Sequence, residues 1–77
     1  MSSTFAYESI KPQQEFTVTA AFDKNANGNA NISVSDEMEV VSDKIQKIEN
    51  LQATWALKGE EGEHLLEIIY GNEKQQH

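Results

Sequence analysis

Polar and apolar residues alternate through Glu15 to Phe22, which places Phe16, Val18, Ala20 and Phe22 on one face of an extended chain. The same period of two returns at Ala30, Ile32 and Val34, at Ala53, Trp55 and Leu57, and at Leu66, Ile68 and Tyr70. Each of these segments is expected to be a strand with one buried face, and Trp55 is expected in the core. The segment between the first two, Asp23 to Asn31 (DKNANGNAN), consists of turn formers and reads as a mobile loop. If the strands it joins pair directly, parity requires an odd loop with Gly28 at positive φ; if they lie in opposite sheets, the constraint vanishes. Ala53 to Tyr70 (ATWALKGEEGEHLLEIIY) reads as a β-hairpin closed by the acidic, glycine-bearing turn Lys58 to Glu63.

One segment carries two patterns. Met38, Val41, Ile45, Ile48, Leu51 and Trp55 recur at steps of three and four, the period of an amphipathic helix. Against this, Val40-Val41 followed by Ser42-Asp43 reads as strand and turn, and Glu49-Asn50 falls where a turn is wanted. The expected fold is therefore all-β, a small immunoglobulin-like antiparallel β-sandwich of about six or seven short strands. Its rival is an α+β fold with a helix across Asp36 to Lys58, acting as a free-standing soluble oligomer or adaptor. The 77 residues read as one domain, with residues 1–4 and 71–77 frayed.

The run IKPQQEFTVTAAF resembles the opening of immunoglobulin-like modules of bacterial and archaeal surface proteins, in which a proline-bearing polar turn precedes a strand of the form FTVTxxF. ATWALKGEEGEHLLEIIY resembles their closing strands, of the form GExxLxIxY. The resemblance implies a structural, adhesive or spacer role in a surface-exposed or membrane-anchored protein, and it carries over no active site. This chain is shorter than such modules, which approach ~100 residues.

Composition narrows the partners. Thirteen acidic residues against six basic ones give a formal charge of −7, which repels phosphate backbones and anionic lipid. Nucleic acid is thus not expected as a partner, and neither is direct membrane insertion, since no apolar run approaches the ~20 residues of a spanning helix. The N-terminal residues, MSSTFAYESIKPQQ, do not have the charged and apolar regions of a signal peptide. With no cysteine there is neither a disulfide framework nor a thiolate metal site.

The candidate chemistry is thin. Asp23, Asn25 and Asn27, followed by Gly28, match the first half of an EF-hand loop, but its twelfth position is Val34 instead of a bidentate glutamate, so tight calcium binding is not expected and a weak calcium-stabilised binding module is a further alternative. Glu60, Glu61, Glu63 and His64 form the one Glu/His cluster; His64 shares the face of Leu66, Ile68 and Tyr70 and reads as a rim or core residue. Asn31-Ile32-Ser33 is a glycosylation sequon, of consequence only in an exported protein. No nucleophile-and-base pattern is present, so neither enzymatic activity nor a cofactor is expected. The last strand holds the remaining oddity. Leu65 and Ile69, with Glu67 between them, point away from Leu66, Ile68 and Tyr70, onto a face that a sandwich leaves to solvent. Leu65, Glu67 and Ile69 are therefore the expected interaction surface, for a neighbouring protein domain or for weak self-association opposed by the net charge.

Overall fold

The structure, a computed structural model, describes residues 1–11 and 14–75. Seven strands, β1 (Ser2–Ile10), β2 (Phe16–Ala21), β3 (Ala26–Val34), β4 (Met38–Val40), β5 (Ile45–Lys47), β6 (Gln52–Gly59) and β7 (Gly62–Asn72), are followed by a 3-10 turn, Glu73–Gln75. They form a four-stranded sheet of order β1-β7-β3-β5 and a three-stranded sheet of order β2-β6-β4, and every pairing is antiparallel. The fold is the small all-β sandwich that the alternation predicts.

The faces follow from parity. Val18, Ala30, Ile32, Ala53, Trp55, Leu57, Leu66 and Ile68 are all buried, with Phe16, Phe22, Val34 and Tyr70 packed around them. Phe22 and Tyr70 close one end of the core edge to face, with ring centroids 4.8 Å apart and planes at 65°.

The connections differ from expectation. Odd-numbered strands make up one sheet and even-numbered strands the other, so every link crosses between sheets. β6 and β7, joined by Glu60-Glu61, do not form a hairpin: β6 pairs with β2 and β4, and β7 with β1 and β3. A direct hairpin over Glu60-Glu61 would also set Trp55 against Leu66 on one face. Alternation fits both arrangements, and packing decides between them. The pairs β1·β7, β2·β6 and β3·β5 are nested, the winding of a jelly roll in shortened form. In an immunoglobulin sandwich, by contrast, the last two strands are neighbours.

No helix forms over Asp36 to Lys58; the segment holds β4, β5 and most of β6. Of the helical stripe, Val41, Ile45 and Leu51 are exposed, so the three-and-four spacing is accidental. β3 ends at Val34 and a short turn at 35–37 reverses the chain; both β4 and β5 therefore run against β3 and form one pass that bends from the smaller sheet to the larger at residues 41–44. At the bend, the Lys44 carbonyl accepts the Ile32 N–H at 3.1 Å and the Trp55 Nε1–H at 2.9 Å, one from each sheet. Ser42 Oγ accepts the Ala56 N–H at 3.1 Å. The pass ends in a tight turn in which Glu49 and Gln52 exchange both backbone bonds at 2.9 Å. Asn50 and Leu51 sit there at φ 52° and 61°, the left-handed pair of a type I′ turn.

One further expectation changes. The link between β2 and β3 spans only residues 22–25, because β3 already begins at Ala26; Gly28 takes φ 75°, but in a bulge between Asn27 and Ala30. Gly71 lies opposite that bulge, where a Cβ would collide with the Asn27 side chain. Among the described residues β1 starts at Ser2 and β7 runs to Asn72, and Ser2 and Asn72 are both buried. Pro12, Gln13, Gln76 and His77 lie outside the described residues.

Two stability measurements follow. Trp55→Ala removes the largest buried side chain, at 0% exposure, together with its bond to Lys44, and should cost about 3 to 5 kcal/mol in urea unfolding. Leu51→Gly gives the turn the Asn-Gly sequence that a type I′ turn favours. It should raise stability by about 0.5 to 1 kcal/mol, the relief of left-handed strain less the entropy of glycine, as a higher urea midpoint at unchanged slope.

Candidate functional site

The features with functional bearing gather on the outer face of the four-stranded sheet. Cross-strand register lays them out in rows: Tyr7 opposite Leu65; Phe5, Glu67 and Ser33; Ser3, Ile69, Asn31 and Ile45. Phe5 is opposite Glu67 and diagonal to both Leu65 and Ile69, within reach of an aromatic ring. Exposure is 62% at Phe5, 73% at Tyr7, 57% at Ile45 and 43% at Leu65. Glu67, half-buried, is the one charge amid these apolar groups. Two shallow depressions mark the face, one of about 310 Å³ bounded by Phe5, Ser33, Leu65 and Glu67, the other of about 390 Å³ bounded by Met1, Asn31, Ile45 and Ile69.

Leu65, Glu67 and Ile69 thus lie side by side on the outward face as parity predicts, with Leu65 exposed and Ile69 half-buried. The sequence reading missed Phe5, Tyr7 and Ile45. In β1 the signal is inverted: its odd-numbered positions hold Ser3, Phe5 and Tyr7 and face outward, while the inner positions hold Ser2, Thr4, Ala6, Glu8 and Ile10. A strand normally buries its large residues, and slipping β1 by one residue would bury Phe5 and Tyr7. Here nine consecutive cross-strand pairs with β7, from Ser2↔Tyr70 to Ile10↔Gly62, hold the aromatics in solvent. Ile45 was hidden by its fit to the helical stripe.

The opposite face of the sandwich is unlike it. Thr17, Thr19, Glu39 and Thr54 line the outside of the three-stranded sheet, with Thr19 and Thr54 hydroxyls 3.0 Å apart. The two sheet exteriors therefore differ in character, one carrying apolar and aromatic groups among serines, asparagines and charges, the other lined by threonine without an exposed aromatic.

The remaining candidates are used by the fold. Asp23 Oδ1 accepts the Asn25 N–H at 2.8 Å, an Asx turn, and Asn27 already lies within β3 opposite Gly71. An EF-hand loop would run on through Val34, but that stretch is strand, so Asp23, Asn25 and Asn27 do not form such a loop. His64 is buried on the inner face of β7 beside Leu66, and its Nε2–H donates to the Glu60 carbonyl at 2.7 Å. Among the described residues no group of three His, Cys, Asp or Glu side chains is placed to hold a metal. No helix of the described residues is long and apolar enough to cross a membrane.

The fold and this face together define a small antiparallel β-sandwich with an apolar and aromatic patch on one exterior. Compared with protein-family models, curated proteins and solved structures, the chain has no significant match.

Because β3 takes up residues 26–34, amide chemical shifts over residues 22–34 should stay in place on adding millimolar calcium. A saturating shift confined to Asp23, Asn25 and Asn27 would contradict the strand assignment.

Proposed function

We propose that this chain is a non-enzymatic structural or interaction module, which docks a protein partner on the outer face of its four-stranded sheet. The observation that carries the reading is the inversion of β1, which turns Phe5 and Tyr7 outward beside Leu65 and Ile69. Fully burying an aliphatic or phenyl side chain of this size contributes about 1.5 to 3 kcal/mol. A partner covering Phe5, Leu65 and Ile69 therefore recovers a gain that this fold leaves to its surroundings.

The partner is a neighbouring domain or a second copy of the chain. A surface-exposed or membrane-attached parent protein remains the setting that the resemblance implies, although the closing hairpin that contributed to the resemblance does not form. A non-enzymatic role is supported by the commitments of the polar groups: the internal histidine gives its Nε2–H to a carbonyl, and the depressions on the apolar face are open and shallow. The charge of −7 opposes approach of a second copy at low salt, and salt screens it.

Sedimentation equilibrium over a salt series tests the reading. Weak association that strengthens with salt is expected of the wild type, and the Leu65→Ser, Ile69→Thr double variant, with both changes on the outward face, should reduce it. Equal association of the two proteins would remove this face from the interaction.

A further inference from the structure

The open edge of the four-stranded sheet is more specific than its face. The two sides of the sandwich are not alike: the bend at residues 41–44 carries one pass from β4 into β5 and ties the sheets together there, whereas β1 and β2 end their sheets separately on the other side. β1 pairs with β7 and, among the described residues, with no other strand. A sheet edge presents backbone donors and acceptors to whatever lies beside it, so the occupant it fits is another extended strand. Natural edges are blunted by lysine, proline, bulges or brevity. Over its nine residues, SSTFAYESI, β1 has no lysine, proline or bulge, and its one protective charge is Glu8, at an inner position near the end of the strand.

We infer that β1 pairs antiparallel with β1 of a second copy about a two-fold axis at Ala6, joining two four-stranded sheets into one continuous sheet of eight. The inference rests on the proposed interaction role and names its partner. Self-complementarity carries it. With Ala6 opposite Ala6, the nine residues overlap completely, Ser2 against Ile10, and both outward faces fall on the same side of the joined sheet. Phe5 then lies opposite Tyr7 of the second copy, twice by symmetry, an aromatic cross-strand pairing at each. Ser3 meets Ser9, and Glu8 meets Thr4, whose hydroxyl donates to a carboxylate. A register shifted by four residues would set Glu8 against Glu8, a like-charge clash. Pairing also brings the two sets of Phe5, Tyr7 and Leu65 into one apolar strip across the axis.

Cross-linking reads the register directly, because the chain has no cysteine of its own. Opposed residues of an antiparallel pair have Cα atoms about 4.5 to 5.5 Å apart, within disulfide range, so Ala6→Cys should link to itself under mild oxidation. Glu8→Cys faces Thr4 of the second copy and Thr19→Cys lies on β2, so neither should. Ala6→Cys is expected to form linked dimer at least about tenfold faster than either control, the advantage of local over bulk concentration. The Phe5→Lys, Tyr7→Lys double variant changes only exposed side chains and should keep the wild-type circular dichroism while sedimenting as a monomer. Equal linking at all three positions, or a folded lysine variant that still dimerises, would overturn the edge pairing. Loss of association in the Leu65→Ser, Ile69→Thr variant without preferential linking at residue 6 would keep the interacting face and remove the edge. Preferential linking with that variant unaffected would do the reverse.

Discussion

The sandwich depends on a single carbonyl more than on any other polar group. Lys44 O takes a hydrogen bond from the backbone of Ile32 in the larger sheet and from the indole of Trp55 in the smaller, at the point where the chain passes between them. Trp55 is fully buried and its N–H needs an acceptor, since an unsatisfied buried donor costs about 1 to 3 kcal/mol. Few acceptors are within reach of the centre of a β-sandwich, where backbone carbonyls are occupied in ladders. A bend in the edge pass supplies one, and the same bend closes that side of the core. Packing and polar satisfaction are met by one local geometry, in a chain of 77 residues with no disulfide to reinforce it.

Closing one side leaves the other as two separate edges, and function is proposed there. Among the described residues β1 has β7 as its one strand neighbour, and it contributes little bulk to the core, with Ala6 and Ile10 its apolar inner residues. Its large side chains are spent on the outside. In a protein with so small an interior, placing two aromatics in solvent forgoes burial that the core would otherwise gain. The threonine-lined exterior of the smaller sheet carries no exposed aromatic, so the two faces of the molecule differ in character.

Left-handed Leu51 belongs to the same theme of local cost. A leucine at φ 61° is uncommon, and the turn tolerates it because the reciprocal Glu49–Gln52 bonds and the Phe22 N–H, which donates to the Leu51 carbonyl at 2.8 Å, fix the backbone around it. Asn50 is suited to its position; Leu51 is there despite its own preference.

What the sequence determined by itself was which face β2, β3, β6 and β7 bury. Side chains on a strand alternate with a period of two, so Val18, Ile32, Trp55 and Leu66 were legible as core, and Leu65, Glu67 and Ile69 as outward, from spacing alone. Neighbour identity was not legible. Trp55 opposite Leu66 in one hairpin and Trp55 facing the other sheet across the core satisfy the same alternation, and long-range packing selected the second. For the same reason the spacing of Met38, Val41 and Ile45 mimicked a helix, in a segment whose short strands are held by partners distant in the chain, β6 and β3. β1 was the hardest case, because its pattern points its large residues the wrong way for a core, and only pairing with β7 defines it as a strand. Local periodicity encodes the direction of a side chain; tertiary structure alone decides what stands opposite it.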